Sequence, residues 1–168
     1  MLQVEIGALV RGPVEVSCQV AGDDPLFDDV DFELGQPVRV SGRVSSAGLS
    51  RLYWKGRIAT TVDAACPRCL TRMQVQVDRT VDVVFTEDQD TEDPSEYVIV
   101  ERAAVLDLRD AVREELILGA EQYVLCREDC KGLCPTCGID LNVNSCDCRP
   151  PPDTRWAALE ALNTKPDE

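Results

Sequence analysis

Nine cysteines and no histidine in 168 residues constrain this chain more than any other feature. Without histidine, a transition-metal site has to be built mainly from thiolate sulfur. Eight of the nine fall into two groups. Cys66-Pro67-Arg68-Cys69 lies between two segments that read as strands. The rest are Cys126, Cys130, Cys134, Cys137, Cys146 and Cys148. A C-x-x-C at a hairpin tip is a knuckle, whose two thiolates and backbone amides turn toward one ion. Cys134-Pro135-Thr136-Cys137-Gly138 is a second, with the glycine placed to relieve the tight turn. A structural zinc ion takes four ligands in a tetrahedron, so eight thiolates suffice for two ions. We assign one site to Cys134, Cys137, Cys146 and Cys148, and the other to Cys66, Cys69, Cys126 and Cys130. The second site would pin the hairpin to a distant segment and make metal binding part of folding. Spacing alone leaves swapped pairings open. Cys18 is in register with Val14, Val16 and Val20 and reads as a small buried hydrophobe.

Other thiol chemistries compete with zinc for this pattern. C-P-x-C occurs in thiol-disulfide redox proteins, and a redox protein or chaperone acting through Cys66 and Cys69 is the alternative function. However, no βαβ pattern surrounds the motif, and six further cysteines would stand unexplained. An iron–sulfur cluster also takes four thiolates, but the spacing suits knuckles better. A four-thiolate zinc site leaves no open position for water or substrate, so the expected role is structural, and the chain is not expected to be an enzyme. A Mg²⁺-dependent nuclease would need acids gathered in a pocket, and no sequence pattern places them in one. Residues 1–12 lack a basic head, a long apolar stretch and a small-residue cleavage site, which reads as no signal peptide and a reducing cytoplasm. No apolar run reaches membrane-spanning length.

The sequence reads as α+β, mainly an antiparallel sheet or partial barrel with one to two helices and a zinc-ribbon-like segment near its end. Period-two alternation marks strands over 13–20, 37–44, 49–65 and 72–85, with a short one at 97–100. Two acidic stretches, 23–33 and 86–96, each hold six acids and no base, and read as flexible, solvated connections. Residues 107–119 read as a helix capped by Asp107, with Leu108, Ala111, Val112 and Leu116 on one face. A last short helix would follow the 150–152 proline spacer, capped by Asp153 or Thr154, with Trp156, Leu159 and Leu162 at helical spacing. The division is 1–105, a β domain carrying the knuckle; 106–125, a packing helix and connection; 126–149, the cysteine-rich segment; and 150–168, a tail.

The formal charge is −14; eight thiolates and two zinc ions would deepen it to about −18. That balance argues against indiscriminate nucleic-acid binding. Yet residues 36–81 hold eight bases against Asp63 and Asp78. If 49–65 is a strand, Arg51, Tyr53, Lys55 and Arg57 share its outer face, and Arg39 and Arg43 lie likewise on the preceding strand. Such a face, with an aromatic for stacking, can meet RNA phosphates. The bland reading is a solvated face balanced by the acidic loops. Those loops also suggest shielding of a basic protein partner.

Residues 126–148 read CREDCKGLCPTCGIDLNVNSCDC. This resembles the cysteine-rich signature of the bacterial YceD family, the large ribosomal RNA subunit accumulation proteins. Cys66-Pro67-Arg68-Cys69-Leu70 before an alternating strand, and Asp153-Thr154-Arg155-Trp156-Ala157-Ala158-Leu159, are similar to that family too. The first sixty residues carry no matching motif. The resemblance implies a non-catalytic, cytoplasmic ribosome-assembly factor needed for synthesis, processing or stability of the large-subunit (23S) ribosomal RNA. Ribosomal RNA, a pre-ribosomal particle or a ribosomal protein would be the partner.

Overall fold

The structure, a computed structural model, describes residues 2–48, 50–120, 123–149 and 155. Its centre is a hairpin of two 15-residue strands, β5 (Arg51–Ala65) and β6 (Arg72–Thr86). They pair without a break from Arg51↔Thr86 to Ala65↔Arg72. Strand β4 (Val38–Ser46) pairs with β5 as far as Ala59, and β2 (Val14–Val20) pairs with β4. Beyond the end of β4, the two-residue β3 (Glu33–Leu34) continues that side of β5. On the opposite edge, β7 (Glu96–Val98) adds to β6 in parallel. A separate small sheet joins β1 (Gln3–Glu5) to β8 (Val105–Asp107). The main sheet is open, with β2 and β7 as its edges.

The alternation read in the sequence is what selects the buried face. Along β5, Leu52, Trp54, Ile58 and Val62 point inward while Arg51, Lys55, Arg57 and Asp63 point out. Val38, Val40, Val44, Val77, Val81 and Phe85 complete that face from the neighbouring strands. Gly42 and Gly56 pair beneath the Trp54 ring, where a Cβ on Gly56 would come within 2.7 Å of the indole. Helix α1 (Arg109–Gly119) covers this face. Leu108, Ala111, Val112 and Leu116 are fully buried, and each large aliphatic side chain so placed contributes about 1.5–3 kcal/mol. The N-cap is Leu108 rather than the expected Asp107 and makes no side-chain capping bond; Asp107 precedes it and accepts the Arg109 N–H at 3.0 Å in a local turn. Arg79 occupies an inward position of β6, opposite Ile58, and reaches Glu115 on α1 at 3.0 Å. It is therefore absent from the outer basic face.

The acidic stretches carry more local structure than free linkers would. Asp24 caps a 3-10 turn at Pro25–Phe27 that buries Phe27. Arg113 of α1 donates to the carbonyls of Leu26 and Asp28 at 2.7 and 2.6 Å. In the second stretch, Thr86 Oγ1 and Asp93 Oδ1 accept the N–H groups of Asp88 and Ser95. Short polar side chains thus supply the backbone partners that a turn otherwise lacks. The short helix expected after residue 152, with Trp156, Leu159 and Leu162, lies outside the described residues. No helix among the described residues is long and apolar enough to cross a membrane.

Candidate metal centres and the outer basic face

The β5–β6 hairpin ends in a knuckle. The Cys66 N–H donates to the Thr71 carbonyl at 2.9 Å, and the Leu70 N–H returns to the Cys66 carbonyl at 2.8 Å. The same ring forms at Cys134, whose N–H donates to Ile139 O at 2.8 Å while Gly138 N–H returns to Cys134 O at 2.9 Å. The residue closing each ring is left-handed, with φ 60° at Leu70 and 73° at Gly138.

Cys66, Cys69, Cys126 and Cys130 gather at the first knuckle, and Cys134, Cys137, Cys146 and Cys148 at the second; in each group all Sγ atoms lie within 4.8 Å of one another. Cys66 and Cys130 Sγ are 3.8 Å apart, and Cys69 and Cys126 Sγ 3.5 Å. A tetrahedron with metal–sulfur bonds of about 2.3 Å has an edge of about 3.8 Å. Disulfide sulfurs would stand at about 2.05 Å, and all nine cysteines are free thiols. A multi-iron core would push four thiolates well beyond these separations. The spacing therefore fits one ion per group. Among the described residues, no other cluster of acids or cysteines has this convergence.

The electrostatics point the same way. The Cys66 thiol is drawn down to about 6 by the Cys126 backbone N–H, against burial and helped by the N–H groups of Cys69 and Arg68. The N–H groups of Cys137 and Thr136 draw Cys134 down to about 6 as well. Cys126 is pushed up to about 12 by the Cys69 thiol and by burial, and Cys148 to about 12 by Cys137 and burial. Each group thus contains one thiol ready to ionise and one held back by crowding sulfur. A divalent cation relieves that crowding. The Cys69 thiol is lowered by Thr71, whose Oγ1 lies 3.2 Å from its sulfur.

The groups differ in their support. Cys66, Cys69 and Cys130 are buried with Met73, Leu125 and Leu133 around them, whereas Cys137 and Cys148 are exposed. Gly132 joins the two groups. A Cβ there would meet Arg68 O at 2.9 Å, and its φ of 74° is left-handed. Arg68 also accepts the Leu133 N–H at 2.9 Å and donates to Cys130 O at 2.9 Å. Arg68, Thr71, Gly132 and Asn142 escape sequence reasoning, because only the tertiary arrangement brings them to the sulfurs. The Gly132 that follows Cys130 and Lys131 was the one visible signal.

The outer face assembles as its parity requires. Arg39 and Arg43 of β4 lie beside Arg51, Tyr53, Lys55 and Arg57 of β5, but cross-strand acids accompany them. Arg43 pairs with Glu15 at 2.7 Å, Arg51 with Glu96 at 3.2 Å, and Lys55 with Asp82 at 3.7 Å. Arg57 forks onto Asp78, and the Tyr53 hydroxyl donates to Asp82. Exposed Arg39 has no ion pair among the described residues. Glu15 and Asp82 are outward by strand parity, but their partners depend on a register that the sequence leaves open.

The family model described as Large ribosomal RNA subunit accumulation protein YceD matches residues 54–163, well over half of the chain and all eight clustered cysteines. An uncharacterized protein of Mycobacterium tuberculosis is 30% identical over 107 residues, covering 62% of this chain and 52% of the relative. One of Mycobacterium leprae is 28% identical over 136 residues, covering 77% and 61%. A plant protein of Arabidopsis thaliana, named Large ribosomal RNA subunit accumulation protein YCED homolog 1, chloroplastic, is 27% identical over 150 residues, covering 72% and 46%. The chain spans about half the length of most of the curated relatives it matches. No solved structure gives a significant match. A family model that takes in both thiolate groups and nearly the whole central hairpin places the chain in the YceD family.

Proposed function

We propose that the chain is a zinc-stabilised factor for accumulation of the large-subunit (23S) ribosomal RNA, acting in a reducing compartment such as the cytoplasm by binding rather than catalysis. Family membership over residues 54–163 carries this reading. Zinc suits the donor set, because the Cys66 group has sulfur–sulfur edges of the length a single Zn²⁺ requires and the four sulfurs of the Cys134 group lie within 4.8 Å of one another. Cys66, Cys69, Cys126 and Cys130 would hold one ion and Cys134, Cys137, Cys146 and Cys148 the other. Both ions would be structural, fixing the hairpin and ribbon that present the binding surface.

The binding surface we assign is the outer face at Arg39, Arg43, Arg51, Tyr53, Lys55 and Arg57. Apart from Arg51–Glu96, whose carboxylate is largely buried, its ion pairs are exposed, worth at most about 1 kcal/mol each, and exchange readily for phosphate. Arg39 would be the first contact, having no acid to displace. The redox alternative draws no support from access, since Cys66 is 0% and Cys69 8% exposed and thiol exchange requires a reachable sulfur.

Titration of labelled 23S ribosomal RNA with the zinc-loaded chain tests the assignment. Charge reversal at Arg39, Arg51, Lys55 and Arg57 is expected to weaken binding at least tenfold and to flatten its salt dependence. Unchanged, salt-sensitive binding by that variant removes this face. Nuclease-resistant co-purification with one basic ribosomal protein would instead favour a protein partner.

A further inference from the structure

We propose that Asn142 couples the two four-thiolate centres, so that an ion in the Cys134 group tightens the ion in the Cys66 group. The proposal rests on the metal reading above. Asn142 belongs to the ribbon that encloses the second group, and Asp140 holds it there. Asp140 Oδ1 accepts the Asn142 backbone N–H at 2.8 Å and one Nδ2 hydrogen at 2.7 Å. Asp140 is itself fixed by its bridge to Leu133, and Leu141 N–H donates to Gly132 O at 2.9 Å. From this anchor the side-chain amide reaches back to the first group. Its Oδ1 accepts the Lys131 N–H at 2.8 Å, and Nδ2 lies 3.7 Å from Cys130 Sγ.

Every polar position of the amide is therefore used. One N–H serves the second group's ribbon, the other serves a sulfur of the first group, and the oxygen holds the intervening backbone. The reverse orientation would set Oδ1 against both the Asp140 carboxylate and the Cys130 thiolate. An N–H directed at a metal-bound thiolate orients the sulfur and spreads its charge, and losing such an outer partner costs about 10–100-fold in metal affinity. The ribbon around Cys134 can hold Asn142 in place only while its own four sulfurs are gathered. Emptying the second group therefore releases the amide from Cys130. The coupling is reciprocal by thermodynamic linkage.

Competition between the full chain and a chromogenic Zn²⁺ chelator tests this, with Co²⁺ absorption reporting four-thiolate coordination. In Cys137→Ser/Cys148→Ser, the ion left in the Cys66 group is expected to bind about 10–100-fold more weakly than in the unaltered chain. Asn142→Ala keeps all eight thiolates and should bind two ions, with the Cys66-group ion weakened to a similar extent. Adding the double cysteine change to it should then alter that affinity by less than about threefold. Asn142→Asp, close in size, should bind more weakly than Asn142→Ala, since it places a carboxylate against the thiolate. That order separates hydrogen bonding from packing. Unchanged affinity of the remaining ion in Cys137→Ser/Cys148→Ser, or in Asn142→Ala, overturns the coupling. Fewer than two zinc ions in the unaltered chain would overturn the metal reading beneath it.

Discussion

The knuckle at Cys66 and the knuckle at Cys134 close the same backbone ring, but one stands on two 15-residue strands and the other on a ribbon whose only pairing among the described residues is the Leu133–Asp140 bridge. The first collects its remaining thiolates from a distant segment, 64 residues away in the case of Cys130, and encloses Cys130 among Met73, Leu125 and Leu133 while Cys126 stays exposed. The second collects them within its own neighbourhood and leaves two exposed. A knuckle positions two sulfurs wherever its ring closes. What an ion there contributes to the fold depends on how distant the other two sulfurs are.

The widest separation between the groups should come from removing one sulfur from each. Cys66→Ser is expected to lower zinc content from two to one and free residues 126–149 from the hairpin, detected as rapid proteolysis there while the sheet's circular dichroism persists. Cys137→Ser should also lose one ion, yet leave residues 126–133 protected by the Arg68 contacts to Cys130 and Leu133, with cleavage confined to the ribbon beyond them. Equal protease sensitivity would erase the distinction. Gly132→Ala, which forces a Cβ toward Arg68 O, should cost about 2 kcal/mol in denaturant unfolding; a neutral result would show that the groups touch without depending on each other.

Proton release gives a smaller but sharper reading. Cys66 and Cys134 lie near 6, lowered from the ordinary 9.0, so both are thiolates at pH 7.5, whereas Cys126 and Cys148 remain protonated until about 12. Loading two zinc ions at pH 7.5 should release fewer than eight protons. Release should rise, and affinity fall, as acid protonates Cys66 and Cys134 through pH 6. Calorimetry in buffers of different ionisation enthalpy measures the number, and a full eight at pH 7.5 would contradict the amide-assisted thiolates. The smallest effect compares the ring-closing residues. Leu70→Gly should stabilise the first knuckle by about 0.5–1 kcal/mol, while Gly138→Ala should cost the second about 1 kcal/mol, both read from thermal unfolding.

The strands were legible because the sheet buries one face, and Val, Ile and Trp at every second position in β4, β5 and β6 record it. Helix α1 was legible for the same reason at a longer period. Strands β1, β3 and β8 were not, since two or three residues give a period no room to show, and β1 meets β8 only across a hundred residues of chain. The candidate ligands were plain from their residue type and knuckle spacing. That Cys130 lies beside Cys66 is a tertiary fact that spacing cannot supply, and Asn142 is invisible until Cys130 has a position. The outer face illustrates the remaining limit. Its bases follow from parity, while the acids that pair with them follow from register.

The long interval between Cys66 and Cys130 also has a meaning in time. At about 5–20 residues per second, a ribosome needs about 3–13 s to make the 64 residues between them. The β5–β6 hairpin can close within microseconds of its own completion. For that interval the nascent chain carries a finished two-sulfur hook with no partners, exposed to whatever soft ions or oxidants pass. The order of synthesis therefore separates the shaping of the first centre from its filling, which waits for Cys126 and Cys130, and capture of its ion marks the moment at which the two ends of the fold become one object.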